Sequence, residues 1–284
     1  MLLQPRHSRA IGSLLAILVC SFAHGVAQAG SKIVIAPTRI VFAKGERTAS
    51  VNIANQGDRS ATLRVRIVNK RMLETGLIVD IDELQEDELS AKPMIRYSPR
   101  QVVIPAGGSQ IVRLLLRRPN GGPPRGEYRS HMVFRSVPDT PPASTAEGID
   151  PTISVRVVAI LETAIPVIFR EGELSATVQF APSVTRLQLA PGVTPTLTVR
   201  LDRTGERSVY GDLEVNHIAL DGSVHQLAFM GGLAVYFPTP SRLINIGLRV
   251  PDGLRLNSGE IHVSYRESDE QIGAVQSQMT LSLN

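Results

Sequence analysis

Two stretches of this chain repeat one pattern 132 residues apart, Ser109-QIVRLLLRR-Pro119 and Ser241-RLINIGLRV-Pro251. Each is followed by a Gly-Glu pair that begins another apolar alternation, at Gly126 and at Gly259. Each copy therefore predicts a strand, a turn rich in Pro or Gly, and a second strand. A repeat at this distance is typical of a duplicated domain rather than of a short solenoid repeat.

Outside these copies, apolar residues also alternate with polar ones, and helical periodicity is almost absent. In the first half, strands are predicted at 32–42, 50–53, 61–68, 101–104, 110–117, 128–136 and 153–169. In the second half, they are predicted at 196–201, 213–220, 224–229, 233–237, 243–250, 260–265 and 275–283. About seven strands in each half, with turn signals between them, predict an all-β protein of two immunoglobulin-like β-sandwich domains.

The N-terminus has the parts of an export signal. Arg6 and Arg9 precede an apolar stretch at 11–23, which is short for a membrane span, and Ala27-Gln28-Ala29 supplies small residues for cleavage. We expect residues 1–29 to be removed, with cleavage after Gly25 as the alternative. We therefore expect the mature protein in the periplasm.

Composition narrows the classes of function. The only cysteine, Cys20, lies in the segment expected to be removed, so the mature chain must be stable without disulfides. Val19 stands where a lipoprotein site usually has a small residue, which makes that alternative the weaker one. The net charge of +4 falls to +2 without Arg6 and Arg9, and the basic residues are scattered. We therefore expect no nucleic-acid partner.

Motifs for chemistry are missing from the sequence. Four histidines follow the export signal, and no two have ligand spacing on one element: His131, His217, His225 and His262. The chain has neither a Gly-x-Ser-x-Gly elbow nor a P-loop. We therefore predict a protein that is not an enzyme and has no catalytic residues, metal, cofactor or small-molecule substrate. An exported enzyme with an unrecognised site is an alternative.

The run at 153–169 is too long for an ordinary strand, because at 3.3 Å per residue it would span roughly 50 Å. One phase of the run is apolar and contains Val155, Val157, Ala159, Leu161 and Ile165. A bent core strand is one interpretation. The other is a strand that extends beyond its own sheet and pairs with another chain.

The first half resembles the PapD-like periplasmic chaperones of chaperone–usher pilus systems, as a divergent branch. The resemblance covers about 140 residues and is carried by Pro37-Thr38-Arg39-Ile40-Val41-Phe42, Val51-Asn52-Ile53-Ala54-Asn55, Ser98-Pro99-Arg100, Ile104-Pro105-Ala106-Gly107, Ile111-Val112-Arg113-Leu114, Phe134-Arg135-Ser136-Val137-Pro138 and Pro166-Val167-Ile168-Phe169-Arg170. It implies two immunoglobulin-like domains in a boomerang arrangement. We assign residues 30–170 to the chaperone domain, 171–175 to the hinge and 176–284 to the second domain.

The resemblance also implies a mechanism. The strand at 153–169 would complete the fold of a pilus or fimbrial subunit until an outer-membrane usher receives that subunit. The donated side chains would be Val155, Val157, Ala159 and Leu161, with a register uncertain by two residues. The sequence leaves open whether self-association covers the strand when no subunit is bound.

Three positions relate this chain to the family's functional residues. Arg39 matches a basic residue that binds the subunit's terminal carboxylate, and an arginine fork suits a carboxylate. Pro166 stands at or near the place of a second basic residue, a lysine in the family pattern. Arg170 matches a basic residue that pairs between domains, but Ser136 stands where its acidic partner is often found.

A secreted two-domain adhesion or structural module is the other class considered. Such a module would bind a glycan or a protein through its loops. The chain has no Trp and 4% aromatic residues, so stacking on sugar rings is poorly supplied.

Overall fold

The structure, a computed structural model, describes residues 32–138, 159–190, 192–268 and 276–283. In these ranges the regular structure is strand, apart from two short 3₁₀ turns at Lys92–Met94 and Pro182–Val184. The expected export signal at 1–29 lies outside the described residues. No helix in the described ranges has the length and apolar character needed to cross a membrane.

The described residues of the first domain form eleven strands, in two facing sheets and a small hairpin. They are β1 (Ile33–Ala36), β2 (Ile40–Phe42), β3 (Thr48–Asn55), β4 (Ala61–Val68), β5 (Lys70–Met72), β6 (Ile78–Asp80), β7 (Ile95–Ser98), β8 (Gln101–Ile104), β9 (Ser109–Leu116), β10 (Gly126–Val137) and β11 (Glu162–Glu171). One sheet has the order β1-β3-β9-β7 and the other β2-β11-β10-β4-β8. β5 and β6 form the hairpin.

The second domain contains eight strands, again in two sheets. They are β12 (Ala176–Phe180), β13 (Arg186–Gln188), β14 (Thr196–Gly205), β15 (Val209–Ile218), β16 (Val224–Val235), β17 (Ser241–Gly247), β18 (Gly259–Glu267) and β19 (Gln276–Leu283). In one sheet β12 and β13 pair with successive parts of β14, and β17 pairs with β14 as well. The other sheet has the order β16-β15-β18-β19. The prediction of two immunoglobulin-like sandwiches is confirmed.

The sequence repeat corresponds to one structural unit in each domain. β9 and β17 each lie in one sheet, and β10 and β18, which follow them, lie in the facing sheet. The turn rich in Pro or Gly therefore carries the chain across the sandwich. Asp221-Gly222, a dipeptide typical of hairpin turns, lies in the turn that joins β15 to β16, with φ of 84° at Gly222.

Two predicted strands are wrong in their continuity. The run at 32–42 is two strands in different sheets, because β1 pairs with β3 whereas β2 pairs with β11. Conversely, the separate strands predicted at 224–229 and 233–237 belong largely to one strand, β16, which continues through Gly231 and Gly232. The turn residues in the sequence do not show at which breaks between strands the chain crosses to the other sheet.

Each sandwich has its own hydrophobic core. Inward-facing residues of β3, β4, β9, β10 and β11 fill the first, and those of β14, β15, β17 and β18 fill the second. Tyr128 closes a corner of the first sandwich: its ring stacks on Phe169 at a centroid distance of 4.6 Å, and its hydroxyl donates to the carbonyl of Pro124 at 2.9 Å. A tyrosine hydroxyl that binds the backbone a few residues upstream is typical of the tyrosine corner in immunoglobulin-like sandwiches, and it is a structural contact.

A third, smaller cluster joins the two domains. Met72 and Ile168 of the first domain are buried against Ala234 and Tyr236 of the second. Next to it, the tip of the β5–β6 hairpin binds the second domain, where the carbonyl of Glu74 accepts the amide of Leu243 at 2.7 Å. The outer face of the sheet that contains β11 is therefore partly covered by the second domain.

Candidate functional site

Strand β11 has one covered edge and one edge that is only partly covered. Along its whole length it pairs antiparallel with β10, from Glu162 opposite Arg135 to Glu171 opposite Gly126. On the other edge β2 pairs in parallel with Val167–Phe169. Among the described residues, no strand pairs with residues 162–166 on that edge.

The ladder determines which backbone groups this open edge presents. The amide of Ser136 donates to the carbonyl of Leu161 at 2.8 Å, which makes these two residues a hydrogen-bonded pair. Because hydrogen-bonded and non-hydrogen-bonded pairs alternate in an antiparallel ladder, residues 162, 164 and 166 direct their backbone groups outward. Glu162 and Ala164 each present an N–H and a C=O, and Pro166 presents a C=O alone.

Pro166 therefore costs β11 no hydrogen bond with β10. It lies opposite His131 in a non-hydrogen-bonded pair, where a strand tolerates a residue without an N–H. Instead, the missing N–H of Pro166 removes one hydrogen-bond donor from the open edge, directly before the residues that pair with β2. An added strand would find its two amide donors at Glu162 and Ala164.

The structure describes two of the four predicted donor residues. Val155 and Val157 lie outside the described residues, whereas Ala159 and Leu161 are described and exposed, Leu161 at 68%. The predicted strand at 153–169 is wrong at 159–161, since these residues are not assigned to the strand, and β11 begins at Glu162. Leu161 nevertheless keeps the phase of Ile165, which is buried in the first core. The apolar face of β11 thus continues past its own core.

Arg39, the predicted carboxylate anchor, lies directly before β2. Since Ile40 is opposite Val167 in the parallel register, Arg39 lies beside Pro166, the position where the family pattern has its second basic residue. Its side chain is partly buried, and its guanidinium carbon lies 4.5 Å from the ring centroid of Tyr210 in the second domain. Arg39 is thus at the junction of the open edge and the domain boundary.

Arg170 binds across the domain boundary through a partner that the sequence analysis did not name. Its Nε donates to Glu127 at 3.0 Å, and Glu127 also accepts the amide of Ser208 at 3.0 Å and its hydroxyl. Ser136 is at the other end of β10, where it pairs with Leu161. The acidic partner is therefore at position 127, opposite Arg170 in the ladder, instead of at position 136.

Burial dominates the electrostatics of this boundary. Arg129 lies over the ring of Tyr236 at 4.6 Å, and His131 contacts the same ring edge-on at 6.1 Å between centroids. Burial, helped by the charges of Arg129 and Lys70, lowers the pKa of His131 to about 3, so the imidazole is neutral at physiological pH. Burial raises the pKa of Tyr236, although Arg129 and Arg39 oppose it. A neutral histidine between cations and tyrosines fits a packed boundary rather than a proton-transfer site.

Within the described ranges, no group of three or more His, Cys, Asp or Glu residues could hold a metal ion. Among the described residues, the geometry brings together a strand edge that no other strand covers, an apolar row that leaves its core, and an arginine at the end of that edge. This arrangement can bind an extended chain. Tyr210 and Glu127 were missed by sequence reasoning, and the only signal for Glu127 was its place in the repeated Gly-Glu pair.

One family model matches the N-terminal half of the chain. Residues 32–174, half of the chain, match the model of the pili and flagellar-assembly chaperones, PapD N-terminal domain. No curated protein matches the chain.

Several solved chaperones share similarity with the chain at low identity. The CupB2 chaperone of Pseudomonas aeruginosa is 14% identical over 87% of this chain and 100% of that one, with a TM-score of 0.42. The CsuC–CsuE chaperone–tip adhesion subunit pre-assembly complex of Acinetobacter baumannii matches at 12% identity over 87% and 98%, with a TM-score of 0.44. The E. coli chaperone DraB matches at 12% over 89% and 97%, with a TM-score of 0.40.

Proposed function

Because this chain belongs to the family of pili and flagellar-assembly chaperones, we propose that it is a periplasmic chaperone that binds pilus or fimbrial subunits by strand addition. The subunit would lie along the open edge of β11, and β11 together with the residues before it would complete the subunit's sheet. The observation that carries this proposal is the edge at residues 162–166, which no strand in the described part of the chain covers, next to an apolar row that leaves its own core.

Backbone and side chains have separate tasks in this mechanism. Hydrogen bonds to Glu162 and Ala164 would provide affinity without sequence preference, and alternate side chains would provide specificity. Leu161 is the described residue best suited to enter a subunit's groove, since it is 68% exposed in the phase of Ile165. Ala159, Val157 and Val155 would continue the same row.

Arg39 would anchor the end of the subunit. Its guanidinium is a charged, planar fork beside the end of the open edge, and such a group binds a terminal carboxylate with two hydrogen bonds. Anchoring one end of an extended partner sets the register of the whole strand, because a shift by one residue would reverse every side chain. Arg39 would therefore decide which side chains meet the subunit's groove.

Delivery follows from the physics of an incomplete sandwich. A subunit with an open apolar groove and an unpaired edge aggregates unless it is covered. The chaperone would release the subunit at an outer-membrane usher, where the strand of the next subunit packs better in the same groove. Neither nucleotide nor catalysis is needed for this exchange. The Arg170–Glu127–Ser208 contact would keep the two domains in place around the subunit.

The test is co-expression of the mature chain with a pilus subunit of the same source, followed by size-exclusion chromatography. Leu161→Arg is expected to abolish the stoichiometric complex, because a buried, unpaired charge in the subunit's groove costs several kcal/mol. Leu220→Arg is the matched control, since Leu220 is 84% exposed in the second domain. It is expected to leave the complex intact.

A complex that survives Leu161→Arg with unchanged stoichiometry would overturn strand addition in this register. Loss of the complex in Leu220→Arg but not in Leu161→Arg would favour a binding module that acts through second-domain loops. Circular dichroism of both variants checks that neither substitution unfolds the protein.

A further inference from the structure

Tyr210 of the second domain lies against Arg39, the first domain's proposed anchor. The guanidinium carbon is 4.5 Å from the ring centroid, within the distance at which a cation is attracted by an aromatic face. Tyr210 lies in β15, which is paired on both edges, with β16 and with β18. The ring therefore projects from a central strand rather than from a loop.

The ring position of Tyr210 depends on a glycine. Gly232 on the neighbouring strand has φ of 72°, and a Cβ atom there would lie 2.7 Å from the Tyr210 hydroxyl. On the other side, the carbonyl of Tyr210 accepts the amide of Ser268 at 3.0 Å. The backbone of Tyr210 is thus held, and its hydroxyl occupies space that only glycine leaves open.

Stacking and carboxylate binding use different parts of a guanidinium. The planar face lies on the aromatic ring, whereas the N–H groups that bind a carboxylate point outward in the plane. An arginine that lies on a ring can therefore still bind a carboxylate, and it has already lost much of its rotamer freedom. A long side chain that is still mobile would lose this freedom on binding, which weakens the binding.

The residue beside Arg39 makes it more important that the arginine is already held in place. Pro166 lies there in the register of β2 and β11, so that position supplies neither a cation nor an N–H to a carboxylate. In that register, Arg39 has no basic neighbour at position 166 with which to share the charge of a carboxylate.

We propose that Tyr210 is a positioning residue for the carboxylate anchor. It holds the Arg39 guanidinium against its ring at the end of the open edge, and it makes the second domain part of the subunit site. The inference rests on the proposed function, because it requires Arg39 to bind a carboxylate.

The test measures preference for a carboxylate over a neutral end. The probe is a synthetic peptide with the C-terminal sequence of the co-expressed pilus subunit, prepared as free acid and as amide. The wild-type protein is expected to bind the acid about tenfold more tightly or better, the strength of a charge-assisted hydrogen bond. Arg39→Ala is expected to abolish this preference.

Tyr210 is then replaced, first by residues that keep an aromatic ring and then by leucine. Tyr210→Phe is expected to keep the preference within about twofold, since the aromatic face remains. Phenylalanine analogues with increasing ring fluorination, which weaken the face electrostatically, are expected to reduce the preference stepwise. Tyr210→Leu is expected to reduce it about two- to fivefold, the range of an exposed cation–π contact.

The outcomes separate the two proposals. Equal acid and amide affinities in the wild-type protein, or a preference unchanged in Arg39→Ala, would overturn the anchor itself. A preference lost in Arg39→Ala but unchanged across the fluorinated series would overturn the role of Tyr210 alone. The fluorinated variants decide the question even if Tyr210→Leu does not fold, because they retain the ring.

Discussion

The last strands of the two sandwiches follow the same repeated unit but are buried differently. β19 pairs with β18 and alternates along its length: Met279, Leu281 and Leu283 pack on the second core, whereas the residues between them are exposed. β11 has a continuous buried run, Ile165–Phe169, and the strand residues before this run are exposed. β11 and β19 therefore hold matching places after the repeated unit, but their surroundings differ.

The difference has a physical cause. In β11, Ile165, Val167 and Phe169 face the first core, while Ile168 faces the second domain. A strand covered on both faces has a run of apolar residues, and a strand covered on one face alternates. β11 therefore combines a buried half that joins the two domains with an exposed half that leaves the core.

The largest expected effect is at the core face of β11. Phe169→Ala removes a fully buried ring that stacks on Tyr128, and it is expected to lower the free energy of unfolding by roughly 3–5 kcal/mol. Leu281→Ala on β19 should cost less, because Leu281 is only partly buried. Urea denaturation of both variants measures the two costs. Equal costs would contradict the difference in burial between the two last strands.

The domain face of β11 is tested at its charged end. Glu127→Ala removes the buried carboxylate that accepts from Arg170 and from the amide and hydroxyl of the buried Ser208, and it is expected to destabilise the protein by about 3 kcal/mol. Glu206→Ala breaks the exposed pair with Arg125 and is expected to leave the urea midpoint unchanged. A Glu127→Ala variant as stable as Glu206→Ala would show that this contact does not hold the domains together.

A pH effect is expected at His131, which lies opposite Pro166 of β11. Its pKa is about 3 in the folded protein and about 6.5 when unfolded, so the unfolded chain binds its proton first. Its contribution to stability is complete above pH 6.5 and is lost progressively as the pH falls toward 3. Between pH 7 and pH 5, this histidine alone is expected to cost about 2 kcal/mol.

His131→Phe keeps an aromatic ring beside Tyr236 and removes the titration. The loss of stability between pH 7 and pH 5, measured by urea denaturation, should therefore be smaller in this variant than in the wild-type protein. His262→Gln is the control, since His262 is 43% exposed. An identical pH dependence in His131→Phe and wild type would contradict burial of the neutral imidazole.

The smallest effect is expected where β11 leaves its core. Leu161→Ala is expected to change stability by less than about 0.5 kcal/mol, because the side chain is exposed. Ile165→Ala, in the same phase, is expected to cost roughly 2–5 kcal/mol, because Ile165 is 2% exposed. Thermal and urea unfolding of the pair measure the difference. A Leu161→Ala cost equal to that of Ile165→Ala would mean that Leu161 belongs to the chaperone's own core.

Local patterns predicted the parts of the molecule that depend on neighbouring residues. Alternation identified most strands, Asp221-Gly222 identified a hairpin, and the repeated Ser–Pro stretch identified two copies of one unit. These features follow from side-chain direction in a strand and from the backbone freedom of glycine, both of which act over a few residues. They could therefore be recognised without knowing which strands pair.

The errors occurred where distant elements decide the outcome. The stretch at 32–42 divides between two sheets, and β11 is shorter than its apolar run. Glu127 rather than position 136 faces Arg170. In each case the deciding partner is far away in sequence, and one residue's type does not specify which partner it meets.

By itself, the sequence determined an all-β protein with two similar domains, an apolar run of unusual length, and Arg39 as a candidate anchor. The tertiary structure decided that β2 covers only Val167–Phe169, and that Tyr210 and Ser208 of the second domain reach Arg39 and Glu127 of the first. The physical reason is the range of the interactions. Strand formation and turns depend on neighbouring residues, whereas an open edge and a contact between domains depend on where distant parts of the chain are placed.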